Sequence, residues 1–236
     1  MEKRQRIYEG KAKVLYTTDD PGLLIQHFKD DATAFNAQKR GTIENKGVMN
    51  ARISAFLFDY LEQRGIKTHY VRLLSDRDML VKRVEIIPIE VVVRNVVAGS
   101  LAQRMGLAEG TPLKRPIVEY YYKSDALGDP MITDEHIEVF DLATREELAA
   151  VTRLARTVNE HLSEFFRGRG IRLIDFKLEF GRHSEGLLLA DEITPDGCRL
   201  WDAATNEKLD KDRFRRDLGG VEGAYERVLR AVTGAA

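Results

Sequence analysis

The stretch Leu173-Ile174-Asp175-Phe176-Lys177-Leu178-Glu179-Phe180 decides how the chain is read. Its apolar residues recur at every second position. That spacing predicts a strand with Ile174, Phe176, Leu178 and Phe180 on one face and Asp175, Lys177 and Glu179 on the other. A second apolar run, Leu187-Leu188-Leu189-Ala190-Asp191-Glu192-Ile193, follows a short polar segment and predicts the return strand of a hairpin. Its leucines do not alternate, so the hairpin is expected to be covered on both sides. Charges on a covered hairpin are costly unless something pairs with them. One solution is a salt-bridged strand, Lys177 with Asp175 and Glu179. The other is a site for a cation and a phosphate. Magnesium takes a few carboxylates and fills its remaining positions with water and phosphate oxygens, and Glu179 and Asp191 are suited to supply them. Lys177 between them suits a phosphoryl group in transit. An odd-numbered loop between pairing partners would put both carboxylates on one face; the register itself is open.

Upstream, Arg6–Tyr16, Leu23–Lys29, Tyr70–Leu74, Met79–Ile87 and Ile89–Val97 read as strands, the first interrupted by Gly10. Met49, Ile53, Phe56, Leu57, Tyr60 and Leu61 follow helical spacing, with Gly65 as the stop. A short helix is expected after Gly99, with Ser100 near its start. Thr111–Thr133 carries three prolines and reads as loop, with one strand at Ile117–Lys123. A long helix over Arg145–Arg167 has the stripe Leu148, Val151, Leu154, Ala155, Val158, Leu162, Phe165 and Phe166. A last helix presents Tyr225, Val228, Leu229 and Val232. Strands first, then helices and a hairpin, predict an α+β protein of two lobes, divided near Lys82–Pro88 into residues 1–84 and 85–236.

Two further clusters carry chemistry. Tyr8-Glu9-Gly10-Lys11-Ala12-Lys13 sets two lysines two apart beside a glycine, where backbone can approach a polyphosphate closely. The alternative is a β-turn with a solvated face. Glu90-Val91-Val92-Val93-Arg94-Asn95-Val96-Val97-Ala98-Gly99-Ser100 buries an arginine in an apolar run, and that arginine needs an anion. Glu90 is one candidate partner; a ligand phosphate or carboxylate gripped by Arg94 and the helix start at Ser100 is the other. Arg199 follows a turn and offers a second anion clamp or a surface salt bridge. The single cysteine, Cys198, excludes an internal disulfide and a cysteine-based zinc site and has no histidine near it in sequence to activate it. The five histidines show no metal-ligand spacing and read as structural or exposed.

The chain has 236 residues with 43% hydrophobic and 32% charged, a folded composition. A net charge of −1 argues against a general nucleic-acid or membrane binder. No apolar run approaches the roughly 20 residues a membrane helix needs. The start Met1-Glu2-Lys3-Arg4-Gln5-Arg6 has no apolar region of a signal peptide, and a cytoplasmic protein is expected.

Taken together, four runs resemble those of one family, the phosphoribosylaminoimidazole-succinocarboxamide synthases or SAICAR synthetases. They are residues 8–13, 89–100, 173–181 and 190–202, the last reading Ala-Asp-Glu-Ile-Thr-Pro-Asp-Gly-Cys-Arg-Leu-Trp-Asp. The likeness extends from about Ile7 to Arg230, and the length is that of the compact bacterial form. The resemblance implies a two-lobed fold similar to ATP-grasp enzymes, with nucleotide between the lobes. It implies an ATP-dependent ligase that joins L-aspartate to the carboxylate of carboxyaminoimidazole ribonucleotide, with Mg2+ as cofactor, in a homodimer. It carries nucleotide contacts to Lys11, Ala12, Lys13, Lys82 and Lys123, and magnesium ligation to Glu179 and Asp191. Ribonucleotide phosphate contacts fall to Arg94, Ser100 and Arg199, and the reacting end to Asp175 and Lys177, with Lys13 offsetting phosphoryl charge. Asp175 is a candidate base for the aspartate amine. On this reading Arg94→Ala mainly weakens ribonucleotide binding. The segment Ala34–Gly47 departs from the family, which carries Asp-Gly near Asn36; it reads as a mobile polar loop able to close over the site. Two rivals are a small-molecule kinase and a non-catalytic nucleotide-binding module.

Overall fold

A computed structural model describes residues 1–34 and 38–234. The chain begins with β1 (Arg6–Glu9), β2 (Lys13–Thr17) and β3 (Leu23–Phe28), then a small hairpin of β4 (Asp31–Ala34) and β5 (Lys39–Thr42). Helix α1 (Lys46–Glu62), β6 (Tyr70–Leu73) and β7 (Asp78–Lys82) complete the first part. β1, β2, β3, β7 and β6 lie side by side in that order as an antiparallel sheet. The helical spacing read from Met49 onward holds: Ile53, Leu57, Phe58 and Leu61 are fully buried, and Gly65 turns the chain at φ 82°. Two expectations change here. Arg6–Tyr16 is a hairpin turning at Gly10–Lys13, where Gly10 N–H donates to the Lys13 carbonyl. Lys39–Thr42 is a strand and Lys46 already helix, so 34–47 is not loop throughout; Phe35 to Ala37 lie outside the described residues.

Downstream come β8 (Glu85–Ile86), β9 (Ile89–Val96), α2 (Gly99–Met105), β10 (Pro112–Tyr122), β11 (Met131–Ile132), α3 (Asp134–Val139) and α4 (Arg145–Arg167). Then follow β12 (Ile171–His183), β13 (Gly186–Ala190), β14 (Cys198–Asp202), α5 (Asp212–Arg215) and α6 (Val221–Thr233). These strands form one seven-stranded sheet. The run Met79–Ile87, read as one strand, divides: β7 belongs to the first sheet and β8 to the second. β10 is an eleven-residue strand rather than mostly loop. Its prolines are tolerated because the ladder with β9 shifts register between Pro112 and Ile117.

β12 is the spine. One edge pairs with β9 over Asp175–Leu178 and with β8 at Gly181 and Arg182. The other pairs with β14 through Ile171–Phe176 and with β13 through Glu179–His183. Between those partners the chain leaves the sheet after Ala190 and returns at Cys198, so the edge opens beside Lys177, whose N–H donates to the Gly197 carbonyl. Helix α4 covers this sheet. Its start is fixed by a reciprocal cap between Thr144 and Glu147, and Val151, Ala155, Val158, Leu162, Phe165 and Phe166 are buried. One continuous hydrophobic core joins α1 and the first sheet to β9, β12 and α4.

Candidate active site between the two sheets

The hairpin loop is even: His183 pairs with Gly186 across two residues, and Glu179 faces Ala190. Continued in register, Asp191 would oppose Leu178 and point into the core. It does not, because Asp191 is left-handed at φ 65°. An aspartate tolerates that region better than most residues, and the reversal swings its carboxylate to the charged face of β12. Register alone would have kept the two carboxylates apart; the backbone at one residue brings them together.

Around that point the charges converge. Lys177 Nζ donates to Glu179 Oε1 at 2.6 Å, Glu90 Oε1 at 3.1 Å and Asp191 Oδ2 at 3.2 Å. Lys13, from the first sheet, bonds the other Asp191 oxygen and lies 3.1 Å from Glu192. Lys123 reaches Glu179 at 3.0 Å. Burial alone would lower the amines of Lys13 and Lys177, but the surrounding carboxylates outweigh it and hold both well above the usual lysine range. Burial would likewise raise the Asp191 carboxyl, and Lys13 and Lys177 hold it far below the usual range instead. The salt-bridged alternative is therefore half right. Lys177 pairs with Glu179 but not with Asp175, and Glu90 serves Lys177 rather than Arg94.

These side chains line a cavity of about 360 Å3. Gly10, Lys11, Ala12, Lys13 and Lys82 reach it from the first sheet, and Lys123, Lys177, Glu179 and Asp191 from the second. Leu15, Leu24, Val81, Val84 and Ile86 give it apolar lining. The two lysines of the glycine turn do not act as a pair: Lys11 bonds Asp125 at 2.7 Å while Lys13 goes to Asp191. Sequence reasoning missed Gln26, His69, Asp196 and Lys211, which also line the cavity. Asp196 sits in the quoted run 190–202 and was readable there. It accepts from the wholly buried Lys46 at 2.6 Å, from Asn50 at 3.2 Å and from Tyr225 at 2.5 Å, which ties the segment after Asp191 to α1 and α6. His69 is buried, which pushes its ring down to about 4 and keeps it neutral at pH 7.

Arg94, Ser100, Asp175 and Arg199 form a second cluster. Arg94 donates to Glu119 at 2.6 Å, Asp175 at 3.0 Å and Ser100 at 3.0 Å. Arg199 donates to both Asp175 oxygens, at 3.1 and 2.9 Å, and to Asp212 at 2.9 Å. Asp175 thus joins two guanidiniums and is not beside Lys177's ammonium. Gly99 is required here. It is left-handed at φ 51°, and a Cβ would stand 2.4 Å from the Arg199 guanidinium. Cys198 is buried, and burial pushes its thiol far up, so it is inert as a nucleophile.

The cluster makes a pH prediction. Burial would raise the Asp212 carboxyl, but Arg199 and Arg215 outweigh it and hold it at about 2. An unfolded aspartate titrates near 3.9, so this stabilisation is full above about pH 4 and lost as pH falls toward about 2. Asp212→Asn should flatten the acid limb of the stability curve in that window. A variant curve as steep as the parent's would show that the arginines do not hold this carboxylate.

Comparisons with known proteins agree with this architecture. The SAICAR synthetase family model matches residues 6–232. A phosphoribosylaminoimidazole-succinocarboxamide synthase of Zymomonas mobilis is 60% identical over 234 residues, covering 98% of this chain and 90% of that protein. The crystal structure of the synthase of that name from Ehrlichia chaffeensis superposes with a TM-score of 0.96 at 49% identity, covering 98% of this chain and all of the other. A SAICAR synthetase solved in complex with ADP gives 0.94 at 47% identity, covering 97% of each chain. The fold, and the named relatives that share it, define an ATP-dependent ligase. The chain belongs to the SAICAR synthetase family.

Proposed function

We propose that the cavity joins L-aspartate to the carboxylate of a carboxyaminoimidazole ribonucleotide, with ATP converted to ADP and phosphate, as a step of purine biosynthesis. One observation carries the reading: Lys13, Lys123 and Lys177 meet Glu179 and Asp191 at a single point of a nucleotide-sized cavity. In this reading residues 1–84 form the covering lobe and 85–236 the lobe that holds the reacting groups. The apolar lining receives the purine ring beside Lys82. Lys11, Ala12 and Lys13 lie along the phosphates.

A carboxylate resists attack by an amine because its own charge repels the nucleophile. Transfer of the γ-phosphoryl group to one carboxylate oxygen turns it into an acyl phosphate. The aspartate amine then attacks the carbonyl, phosphate departs with that oxygen, and the ammonium proton is lost. Lys13, Lys123 and Lys177 stay charged and offset the charge of the phosphoryl group in flight. Among the described residues no three acidic, histidine or cysteine side chains are arranged to hold a metal by themselves. Magnesium needs only one or two protein carboxylates when phosphate oxygens complete its shell, so Glu179 and Asp191 fit it together with a polyphosphate. When bound, the ion would polarise phosphate oxygens. Arg94, Ser100 and Arg199 receive the ribonucleotide phosphate. Asp175, engaged on both oxygens by guanidiniums, orients those arginines; we do not assign it the proton of the amine. A cytoplasmic homodimer is the setting the family likeness supports.

The test is an ADP-release assay with the ribonucleotide or aspartate left out in turn. Release is expected only with all three substrates, and oxygen-18 in the substrate carboxylate should appear in the phosphate. ADP release indifferent to aspartate would make the protein a kinase. Unlabelled phosphate would sink the acyl phosphate.

A further inference from the structure

Asp191 reaches the charged cluster only through a left-handed turn at the end of β13. Aspartate pays a backbone cost in that region, so the turn persists only if neighbours hold it. The neighbours are on the other sheet. Gln26 lies in the middle of β3, between Ile25 and Phe28 in the buried part of the strand, and is itself 3% exposed. A buried amide in such a strand calls for a partner. Its Nε2 donates to the Asp191 carbonyl at 3.2 Å. His69 is 4% exposed, and its backbone is bolted to both sheets. Its N–H donates to the Leu189 carbonyl at 2.9 Å, and its own carbonyl accepts from Lys82 N–H at 2.6 Å. The preceding Lys67 carbonyl accepts from Leu189 N–H at 3.0 Å. His69 lines the same cavity as Asp191, and its ring Nε2 has no partner among the described residues.

We propose that Gln26 is a positioning residue: from the covering sheet, with the His69 backbone fixing the end of β13, its amide clamps the turn at Asp191 and so aims the carboxylate at Lys177 and Glu179. This rests on the reading of Asp191 as part of the nucleotide site. Both residues line the cavity, and the proposed role is exerted through Asp191. Their effect passes through one backbone carbonyl and one strand end. The consequence is that the reacting lobe is complete only when the covering sheet is docked on it.

The test uses the whole enzyme. Gln26→Met keeps length and loses the donor. Turnover should fall about tenfold to a hundredfold, the range for partners of metal-ligating groups, while the thermal midpoint stays within a few degrees. By calorimetry, ADP affinity should weaken about tenfold with Mg2+ present and be unchanged in EDTA. Amide hydrogen exchange should quicken in residues 187–194 and nowhere else in the second sheet. His69→Leu keeps the backbone bonds to Leu189 and Lys82 and should leave exchange at 187–194 parental. Parental exchange at 187–194 together with parental turnover in Gln26→Met would overturn the clamp. If the parent enzyme itself binds ADP equally with and without Mg2+, the metal role of Asp191 falls, and the exchange data alone then decide the clamp.

Discussion

Asp191→Asn is expected to fold normally and to turn over about 10²–10³-fold more slowly, the loss seen when one preorganised electrostatic group is removed from a site. Asparagine is nearly isosteric with aspartate and accepts the left-handed backbone that the residue occupies at φ 65°. The turn and its bond from Gln26 therefore survive. What goes is the charge that Lys13 and Lys177 both engage. Two ammonium groups then face each other with less compensation, and on the proposed reading the polyphosphate loses a carboxylate that would hold its cation. Steady-state kinetics beside a thermal melt checks this. Parental turnover would take Asp191 out of the site. Asp191→Ala separates charge from geometry, because alanine has no aptitude for the left-handed region and should lower the melting point as well.

Arg94→Ala is expected to be a stability variant before it is a binding variant. Arg94 is 3% exposed and holds two carboxylates that are equally buried, Glu119 and Asp175. Removing one member of such a network strands the others and costs about 3–5 kcal/mol. In a chain of this size that lowers the thermal midpoint by roughly 10 °C. Arg94→Lys should recover only part, because an ammonium cannot fork between Glu119, Asp175 and Ser100. The expectation from sequence was weakened ribonucleotide binding, with Glu90 as the only structural rival. The rival exists, but it is Glu119 with Asp175. An unshifted midpoint would mean that Arg104, which also bonds Glu119, and Arg199, which bonds Asp175, already neutralise those carboxylates without Arg94.

What could be read in advance was local. The long helix at Arg145–Arg167 announces itself through one periodic stripe, and the alternation places Phe176, Leu178 and Phe180 in the main core as expected, but Ile174 departs from their face, because a register shift between Leu173 and Asp175 puts Leu173 in that core and leaves Ile174 packed with Val96, Ala98 and Trp201. The members of the cluster on β12 were legible for the same reason, since carboxylates and a lysine on a covered strand are conspicuous. The partners were not. Glu119 lies 25 residues from Arg94 and Asp175 lies 81 away, so no spacing rule connects them. The aim of Asp191 depends on the parity of a hairpin loop and on one backbone torsion, and neither leaves a mark in composition. β10 was hidden by its prolines, which are harmless only because the ladder slips where they fall. Gln26 looks like any polar residue of a strand until the other sheet is laid against it.

The bond between Lys13 and Asp191 spans 178 residues of chain, and Asp196 just beyond is held by Tyr225 of the last helix. Contacts of such separation are slow to form, because a long stretch of chain must be ordered before they reward it. A chain emerging from the ribosome can build β1 to β3 early, yet Lys13 meets its counter-charges only once residues 191 and 192 have been made. The two sheets cannot be joined by this bond while β13 is missing. Most of the chain must therefore be in hand before this cavity is electrically balanced.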